Sequence, residues 1–312
     1  MPRILDGAAI SRQIKAEISV RISELKKQGI QPGLAAVLVG DNPASAIYVK
    51  NKVQSCSDLG ILSRKLDLPA SMSTSQLLEQ VRILNSDDRI DGILVQLPLP
   101  PQVDARRILN SVDSRKDVDG FHPENVGKLC ANTPGLRPCT PLGIMEILKR
   151  EGIQVQGREA VVVGRSDIVG KPLALLLLHQ NATVTVCHSK TVDLPSVCRR
   201  GDLLFAAIGR AGFITANFVK PGAVLVDVGM NRLTELSEVE RFFGGTRRME
   251  TFREKGSLLM GDIDPRAYSA AQAYTPVPGG VGPLTIAMLM ANTVQACAAR
   301  RGLSEFLTAS TE

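Results

Sequence analysis

The sequence contains no tryptophan, and only 4% of its 312 residues are aromatic. Proteins that bind single-stranded nucleic acid depend on aromatic platforms for base stacking, so this composition argues against that class. No apolar run approaches the ~20 residues that a membrane-spanning helix needs. The N-terminus, Met1-Pro-Arg-Ile-Leu-Asp-Gly7, also lacks the apolar core of a secretory signal. We therefore expect a soluble, cytoplasmic protein with no nucleic-acid or membrane partner.

The cysteines and histidines do not form a recognisable set of metal ligands. The six cysteines include no C-x-x-C pair, and the three histidines do not cluster. In a chain of this length, that spacing predicts reduced thiols rather than a disulfide framework and gives no support to a metal site. The net charge of +6 is mildly basic and suits anionic small molecules. Arginine pairs such as Arg300-Arg301 are expected on solvated faces.

Residues 159–172 have the pattern of a buried strand, a tight turn and the start of a helix. An apolar strand ends at Gly164, and Gly170 opens the next apolar helix. Unpaired backbone N–H groups at such a helix start bind anions. The standard dinucleotide fingerprint G-x-G-x-x-G is absent, because Ser166 and Val169 occupy two of its glycine positions. An ordinary strand-to-helix turn therefore stays an alternative at this point.

The next predicted strand, over residues 182–188, is followed by Ser189 and Lys190. In a dinucleotide-binding fold, an acidic residue here would bind the ribose hydroxyls of NAD. No acid is present, and Ser189, Lys190 and Arg165 instead supply hydrogen-bond donors and positive charge that suit a 2′-phosphate. The sequence therefore predicts NADP as the cofactor.

Strands and helices alternate along the chain, which predicts an α/β fold with parallel sheets. The first part is predicted to contain helices over 8–28, from 43, over 73–84 and over 105–112, and strands over 34–39, 61–68 and 92–97. Residues 113–141 are rich in Asp, Gly, Pro and Asn and predict a loop. Strands near 203–208, 223–228 and 258–260 are expected to continue the dinucleotide sheet. The polar stretch 233–256 predicts a surface excursion, and a helix over 285–301 is expected to pack back on the first domain.

Tyr48 and Lys52 lie four residues apart and share one face of the second predicted helix. The pair either belongs to an ordinary surface helix or forms a site, with Tyr48 stacking on an aromatic ligand and a desolvated Lys52 moving protons. Gln96 lies in an otherwise apolar strand and needs a definite partner, because burying an unpaired amide costs ~1–3 kcal/mol. That partner is either backbone or a ligand at the end of the strand.

Two further segments each have a structural and a functional interpretation. Asp117 and Asp119 either form a turn or bind a ligand. The glycine-rich stretch Pro278–Pro283 is either a bare loop or a segment that approaches a ligand closely, since glycine permits unusual backbone angles.

Six motifs, in a fixed order, carry a resemblance to a known family. They are Tyr48-x-x-x-Lys52, Asp91-Gly-Ile-Leu-Val-Gln-Leu-Pro-Leu-Pro100, Lys116-Asp-Val-Asp-Gly-Phe-His-Pro123, Pro138-Cys-Thr-Pro141, Gly164-Arg-Ser-x-x-Val-Gly-x-Pro172 and Thr275-Pro-Val-Pro-Gly-Gly-Val-Gly-Pro283. Over about residues 3–300, the chain resembles the bifunctional methylenetetrahydrofolate dehydrogenase/methenyltetrahydrofolate cyclohydrolase family, often called FolD.

The resemblance implies a two-lobed protein. A folate-binding α/β catalytic domain would span residues 1–139, completed by 285–312, and a Rossmann-like NADP-binding domain would span 140–284. The implied reactions are NADP-dependent oxidation of 5,10-methylenetetrahydrofolate to the 5,10-methenyl compound and hydrolysis of that compound to 10-formyltetrahydrofolate. Their setting would be one-carbon metabolism and purine biosynthesis. The implied partners are tetrahydrofolate derivatives, with or without a polyglutamate tail, and a second copy of the chain in a homodimer.

The resemblance also implies roles for single residues. Lys52, Tyr48 and Gln96 would be the catalytic residues: Lys52 would be central to the cyclohydrolase step, Tyr48 would stack on the folate and Gln96 would tune Lys52. Asp119 would anchor the pterin. The folate cleft would also be lined by Val95, Leu97, Pro278, Gly279, Gly280, Val281 and Gly282. The cofactor contacts would be Gly164, Arg165, Ser166, Ser189 and Met230, with Arg165 and Ser189 placed for the 2′-phosphate. Met230 stands where many relatives carry isoleucine. Residues 240–256 match no motif of the family and are interpreted as an insertion.

Two other functions remain alternatives. One is another two-domain NADP dehydrogenase that resembles shikimate dehydrogenase, which would leave Tyr48, Lys52 and Gln96 without folate roles. The other is a non-catalytic NADP- or RNA-binding protein, weakly favoured by the pI of about 9.1; its nucleic-acid affinity would fall steeply with salt. We expect the Lys52 amine and the nicotinamide pocket to open onto one crevice between two lobes.

Overall fold

The structure, a computed structural model, describes residues 2–303 and divides into two compact units. One unit comprises Met1–Ile10 and Thr140–Leu284, and the other comprises Ser11–Cys139 and Thr285–Glu312, as far as these residues are described. We call them the six-stranded unit and the three-stranded unit after their main sheets. The predicted C-terminal completion of the catalytic domain lies outside the described residues beyond residue 303.

The three-stranded unit is built on a parallel sheet with the order β3-β2-β4. Its elements are most of α1 (Gly7–Lys27), β2 (Gly33–Val39), α2 (Pro43–Leu59), β3 (Leu62–Leu68), α3 (Thr74–Ser86), β4 (Gly92–Val95), α4 (Ala105–Leu109), α5 (Pro123–Cys130) and most of α11 (Val281–Arg300). Strands β2 and β4 are buried along their whole length, as their continuous apolar runs indicate.

The helices of this unit follow the sequence signals closely. The predicted apolar face of α1 is confirmed: Ile10, Ile14, Ile18, Ile22 and Leu25 are each 4% exposed or less. The capping box at the start of α3 is also confirmed, with the Ser73 hydroxyl accepting the N–H of Gln76 and the Gln76 side chain accepting the N–H of Ser73.

The predicted loop over 113–141 is wrong in part, because it contains α5. Pro123 stands in the first turn of this helix, and the N-cap residue His122 accepts the N–H of Glu124 through Nδ1. The side chain of Asn125 is 2% exposed and donates to the Asp117 carboxylate and to the carbonyl of Ser114. These tertiary bonds stabilise a short helix in a segment whose composition favours a loop.

The six-stranded unit has an all-parallel sheet with the order β1-β11-β8-β7-β5-β6. Its elements are β1 (Arg3–Ile4), α6 (Cys139–Arg150), β5 (Glu159–Val163), α7 (Gly170–His179), β6 (Thr183–Cys187), α8 (Leu194–Cys198), β7 (Leu203–Ala206), β8 (Val224–Asp227), β9 (Asn231–Leu233), α9 (Leu236–Phe243), α10 (Arg248–Lys255), β10 (Leu258–Met260) and β11 (Ala273–Tyr274). Strands β6 and β7 lie on opposite sides of β5, so the strand order reverses there. The predicted Rossmann-like parallel sheet is confirmed.

Two assignments at the margins of this sheet need correction. The predicted catalytic domain starts at residue 1, but β1 pairs with β11 through Arg3 and Ala273, so the first ten residues group with the six-stranded unit. Strand β10 was expected to continue the dinucleotide sheet. It pairs instead with β9, antiparallel, in a separate two-stranded sheet.

The polar stretch 233–256 is more ordered than the predicted surface excursion. It contains α9 and α10, which pack with β9 and β10 around a small core of their own. The buried members of that core are Leu233, Val239, Phe243, Met249, Leu258 and Met260. Because the two eight-residue helices also carry many charged residues, the composition of the segment did not reveal these few buried apolar positions.

Helix α11 begins at Val281, four residues before the predicted start, and its residues from Thr285 onward belong to the three-stranded unit, as expected of a helix that returns to the first domain. Among the described helices, it alone has the length and apolar character of a membrane span, and most of it is buried inside the protein. Near its end, Arg301 is exposed as expected, whereas the side chain of Arg300 is only 14% exposed. Each donates to the fully buried Asp91 carboxylate at 2.6 Å.

Candidate active site

A lysine–glutamine pair lies at the carboxyl edge of the three-stranded sheet. Helix α2 carries Tyr48 and Lys52 one turn apart, and Lys52 is only 8% exposed. The Lys52 Nζ donates to Gln96 Oε1 at 3.0 Å, and Gln96 Nε2 donates to the carbonyl of Leu97 at 2.7 Å. The amide of Gln96 therefore has both a backbone partner and the lysine, and its oxygen is directed at the ammonium group.

The predicted strand over 92–97 contains Gln96, but in the structure Gln96 lies just beyond the end of the strand. Strand β4 ends at Val95, and the N–H of Gln96 still donates to the carbonyl of Val37 at 2.9 Å. The first residue past the carboxyl end of a parallel strand is where open α/β sheets bind ligands. The side chain of Val95 is 3% exposed and packs in the core, so a ligand contact by Val95 would involve its main chain. Leu97 is partly exposed and precedes a cis peptide bond to Pro98.

Asp119 provides an acid that interacts electrostatically with Lys52. Desolvation by surrounding atoms raises the pKa of this carboxyl to about 7, while the charge of Lys52 opposes the rise and that of Asp117 adds to it. Part of the Asp119 surface is still accessible to solvent. Among the described residues, none donates a hydrogen bond to this carboxyl. It is therefore an acceptor available to a ligand near Lys52.

The neighbouring Asp117 has the structural role that the turn interpretation gave it. Its buried carboxylate accepts the N–H groups of Phe121 and His122, at 3.2 and 2.8 Å, and the side chain of Asn125 at 2.9 Å. Burial raises its pKa. Lys116 is also structural: its ammonium, 1% exposed, donates to the carbonyls of Leu84, Asn85 and Asp87 at the end of α3.

The backbone beside Asp119 is fixed by a residue that the sequence reasoning missed. Asn292 in α11 is 1% exposed, and its Nδ2 donates to the carbonyls of Val118 at 2.7 Å and Arg137 at 2.8 Å. The Cys139 thiol donates to the same Val118 oxygen at 3.3 Å. A polar residue within an apolar helix is the signal that could have identified Asn292.

In the six-stranded unit, the turn after β5 has the close packing of a dinucleotide-binding loop. Gly164 has φ +130°, and a Cβ there would collide with the carbonyl oxygen of Ala207, which follows β7. A Cβ on Gly170 would in turn collide with the carbonyl of Gly164. The Ser166 hydroxyl accepts the N–H groups of Val169 and Gly170, at 3.2 and 3.3 Å, and so shapes the start of α7. This glycine turn lies at the switch point of the sheet.

The two residues predicted for the 2′-phosphate lie on neighbouring loops. Strands β5 and β6 pair in parallel with Val163 opposite Cys187, so the segments that follow them leave the sheet at one edge. Arg165 follows β5 and Ser189 follows β6, and both are exposed, as is Ser166. This arrangement fits NADP, since an exposed guanidinium and hydroxyl stand where NAD-binding folds carry an acid.

Two buried acids that the sequence reasoning missed hold the other loops at this edge. Asp262 is fully buried and accepts the N–H groups of residues 208, 209 and 210, which follow β7, at 2.6–2.9 Å. Asp227, 1% exposed, accepts the N–H groups of Gly229, Asp262 and Ile263, and burial raises its pKa to about 7. The signal for both was an acid within or beside an apolar strand.

The predicted substrate loop is fixed from several sides. The N–H of Ala8 donates to the carbonyl of Gly279 at 2.9 Å, and that of Gly280 to Pro276 at 2.8 Å. The structure assigns Val281 and Gly282 to the first turn of α11 and leaves Pro278–Gly280 as loop. A Cβ on Gly282 would lie 3.3 Å from the sulfur of Met230. A predicted substrate residue and a predicted cofactor residue therefore meet here.

A parallel sheet with a glycine turn at its switch point, combined in one chain with an α/β unit that carries a buried lysine–glutamine pair, defines a two-unit NADP-dependent oxidoreductase. The tetrahydrofolate dehydrogenase/cyclohydrolase family models match both parts: the catalytic domain over residues 5–119 and the NAD(P)-binding domain over residues 138–301. The chain belongs to the tetrahydrofolate dehydrogenase/cyclohydrolase family.

Relatives match over nearly the whole chain. The bifunctional protein FolD of Koribacter versatilis is 60% identical over 300 residues, which are 96% of this chain and 98% of that protein. The crystal structure of the bifunctional FolD enzyme from Campylobacter jejuni has a TM-score of 0.87 and 43% identity, covering 96% of this chain and 100% of that one. The dehydrogenase-cyclohydrolase of Trypanosoma brucei, solved with NADP and an inhibitor, has a TM-score of 0.87 and 33% identity, covering 96% and 98%.

The chain is an enzyme with both activities of its family, a dehydrogenase and a cyclohydrolase that act on tetrahydrofolate derivatives. Its cofactor is NADP, as the match of residues 138–301 to the family's NAD(P)-binding domain supports. The two alternatives, a shikimate-dehydrogenase-like enzyme and a non-catalytic binding protein, are not favoured by these matches.

Proposed function

We propose that Lys52, Gln96 and Asp119 form the folate site and that both reactions take place on one bound substrate. 5,10-Methylenetetrahydrofolate is oxidised to the 5,10-methenyl compound, which is then hydrolysed to 10-formyltetrahydrofolate. The observation that carries the proposal is the buried ammonium of Lys52, hydrogen-bonded to Gln96 at 3.0 Å. A buried cation held by a neutral amide, rather than by a carboxylate, is suited to moving protons.

In the oxidation, the task of the protein is alignment. NADP supplies the hydride acceptor for the methylene carbon. The Tyr48 ring offers a flat surface on which the folate can stack, and burial raises the pKa of its phenol, which keeps it neutral. The loop Pro278–Gly280, with Val281 and Gly282, would also contact the folate. Fixing both reactants in this way removes much of the entropic barrier.

In the hydrolysis, water adds its oxygen to the cationic methenyl carbon and loses one proton. The bond from that carbon to one ring nitrogen then breaks, that nitrogen takes up a proton, and the second water proton leaves as the formyl C=O forms. The net reaction releases one proton. Lys52 Nζ, held by Gln96, would relay these protons, because the amide oxygen fixes its position without neutralising its charge.

The Asp119 carboxylate would anchor the pterin by accepting hydrogen bonds from the N–H groups of the pterin. This carboxyl has no hydrogen-bond donor among the described residues, and burial holds its pKa near 7, so a ligand donor would stabilise the ionised form. Val95, through its main chain, and Leu97 would complete this side of the site.

The cofactor would bind at the turn after β5. Gly164 lets the pyrophosphate approach the backbone, and the N-terminus of the ten-residue helix α7 favours its negative charge. Ser166 shapes that turn, Arg165 and Ser189 would bind the 2′-phosphate, and Met230 would contact the cofactor.

The test is a two-step assay on the purified protein, run with NADP and NAD in parallel. We expect 5,10-methylenetetrahydrofolate to reduce NADP faster than NAD, and supplied 5,10-methenyltetrahydrofolate to disappear faster than without enzyme. Absence of either activity would reject the proposed function.

We also propose that the protein forms a homodimer through β6. It would act in the reducing cytoplasm, where its 10-formyl product would supply purine biosynthesis. Strand β6 is an edge of its sheet as described, and the nearby side chains of Val186 and Val192 are 38% and 87% exposed. All six cysteines are free. Sedimentation should give twice the chain mass, and Val186→Lys should shift the protein toward monomer; a monomeric wild type would contradict this proposal.

A further inference from the structure

We propose that Arg248, at the start of α10, is a positioning residue for the substrate loop and the two residues before it, Pro276–Gly280. The inference rests on the proposed function, because that function assigns this loop to the folate. It gives a role to α9 and α10, which otherwise lie apart from the catalytic groups along the chain.

Arg248 reaches the loop directly. Its Nη1 donates to the carbonyl of Val277 at 3.2 Å, and its Nη2 donates to the carbonyl of Leu259 in β10. The guanidinium also lies over the ring of Phe243, 4.2 Å from the centroid. One side chain therefore joins the loop to both the small sheet β9–β10 and the small core that α9 and α10 form with it.

The other points of the loop are held by backbone groups of the six-stranded unit. The N–H of Thr275 donates to the carbonyl of Leu225 at 3.0 Å, and Ala8 donates to Gly279 at 2.9 Å. Val277 lies between these two points, and Arg248 is the side chain that holds it. Without this bond, the segment between Thr275 and Gly279 would lose its middle anchor.

The position requires an arginine for geometric reasons. A planar guanidinium can donate to two carbonyls of different segments while its face stacks on an aromatic ring, and a lysine ammonium cannot do all three. Burial lowers the pKa of Arg248 from a value far above neutrality, and its partners are neutral carbonyls rather than acids. The side chain thus acts as a hydrogen-bonding clamp rather than as half of an ion pair.

The experiment compares Arg248→Met and Arg248→Lys with a matched control, Arg253→Met, which removes an exposed arginine of the same helix. Losing a charged hydrogen bond to the loop should raise the KM for 5,10-methylenetetrahydrofolate roughly ten-fold in Arg248→Met. The kcat should change less than about three-fold. Arg248→Lys keeps one donor and should show a smaller rise in KM. The Kd of NADP for the free enzyme should be unchanged, because Arg165 and Ser189 lie on other loops.

Amide hydrogen exchange gives a second readout that does not depend on turnover. Exchange at Gly280, whose N–H donates to the carbonyl of Pro276, should accelerate in Arg248→Met and stay unchanged in Arg253→Met. An unchanged folate KM in folded Arg248→Met and Arg248→Lys, or an equal loss of NADP affinity, would overturn the positioning role. If Arg248→Met does not fold, Arg248→Lys carries the test. A wild type that does not turn over folate would reject the proposed function, while exchange would still decide whether Arg248 holds the loop.

Discussion

Replacing Lys52 with methionine tests the proposed site most directly. Methionine keeps a long unbranched side chain in a position that is 8% exposed, but it removes the ammonium that donates to Gln96 Oε1. It also removes the positive charge that lowers the pKa of Asp119, so that pKa should move above its value of about 7. One substitution therefore removes a proton carrier and makes its acidic neighbour harder to ionise.

The expected fall in kcat of each reaction follows from the role of the Lys52 ammonium in that reaction. A positioned acid or base contributes about 10²–10⁴-fold to a rate, so the cyclohydrolase kcat should fall by at least ~100-fold. The dehydrogenase kcat should fall less than ~10-fold, because bound NADP carries the hydride. Stability should change by only about 1 kcal/mol, since Gln96 is partly exposed and water can replace its lost donor.

The two activities can be measured separately. Hydrolysis is followed by the loss of supplied 5,10-methenyltetrahydrofolate, and oxidation by the formation of NADPH from 5,10-methylenetetrahydrofolate and NADP. The matched control is Lys50→Met, which removes an exposed lysine of the same helix and should leave both rates unchanged. Hydrolysis at the wild-type rate in folded Lys52→Met would refute the assignment, and an equal loss in both activities would show that the lysine serves binding rather than proton transfer.

Three further predictions follow from the same structure. Because the Asp119 pKa is about 7, its carboxyl is mostly protonated at pH 6 and mostly ionised at pH 8; the folate KM should fall roughly ten-fold over that range, and steady-state kinetics should show no such fall in Asp119→Asn. Arg165→Ala should raise the KM for NADP roughly ten-fold and leave that for NAD within about two-fold, since only NADP carries the 2′-phosphate; an equal rise for both would place Arg165 elsewhere on the cofactor. Asn292→Leu leaves the carbonyls of Val118 and Arg137 without their shared donor, so urea unfolding should show a loss of about 2–4 kcal/mol, and a loss below about 0.5 kcal/mol would contradict the anchoring role.

Periodicity and caps predicted most of the secondary structure, because these signals are local. The isoleucine spacing of α1, the capping box of α3 and the glycine turn after β5 each depend on residues within a few positions of one another. The two-residue strands β1 and β11 had no such signal. They form because chain segments about 270 residues apart pair in one sheet, with Arg3 opposite Ala273.

The dependence on local signals also explains which residues around the site could not be predicted from the sequence. Gln96 could be singled out because one polar residue followed an apolar run, and its partner proved to be Lys52. Arg248 could not, because its surroundings in the sequence are charged and its three contacts come from separate segments. Asn292 is, like Gln96, a polar residue in an apolar segment, so the argument that a buried amide needs a partner would also have identified Asn292.

The buried acids differ from Asp119 in the hydrogen bonds that their carboxylates accept. Asp91, Asp117, Asp227 and Asp262 are each 4% exposed or less, and each accepts at least three hydrogen bonds from backbone or side-chain donors. Hydrogen bonds from the protein partly offset their desolvation, and through these bonds the acids hold loops and helix ends in place. The carboxyl of Asp119 is also desolvated, but no described residue donates to it. Since an uncompensated acid is costly, its presence beside Lys52 is best explained by a ligand that supplies the missing donors.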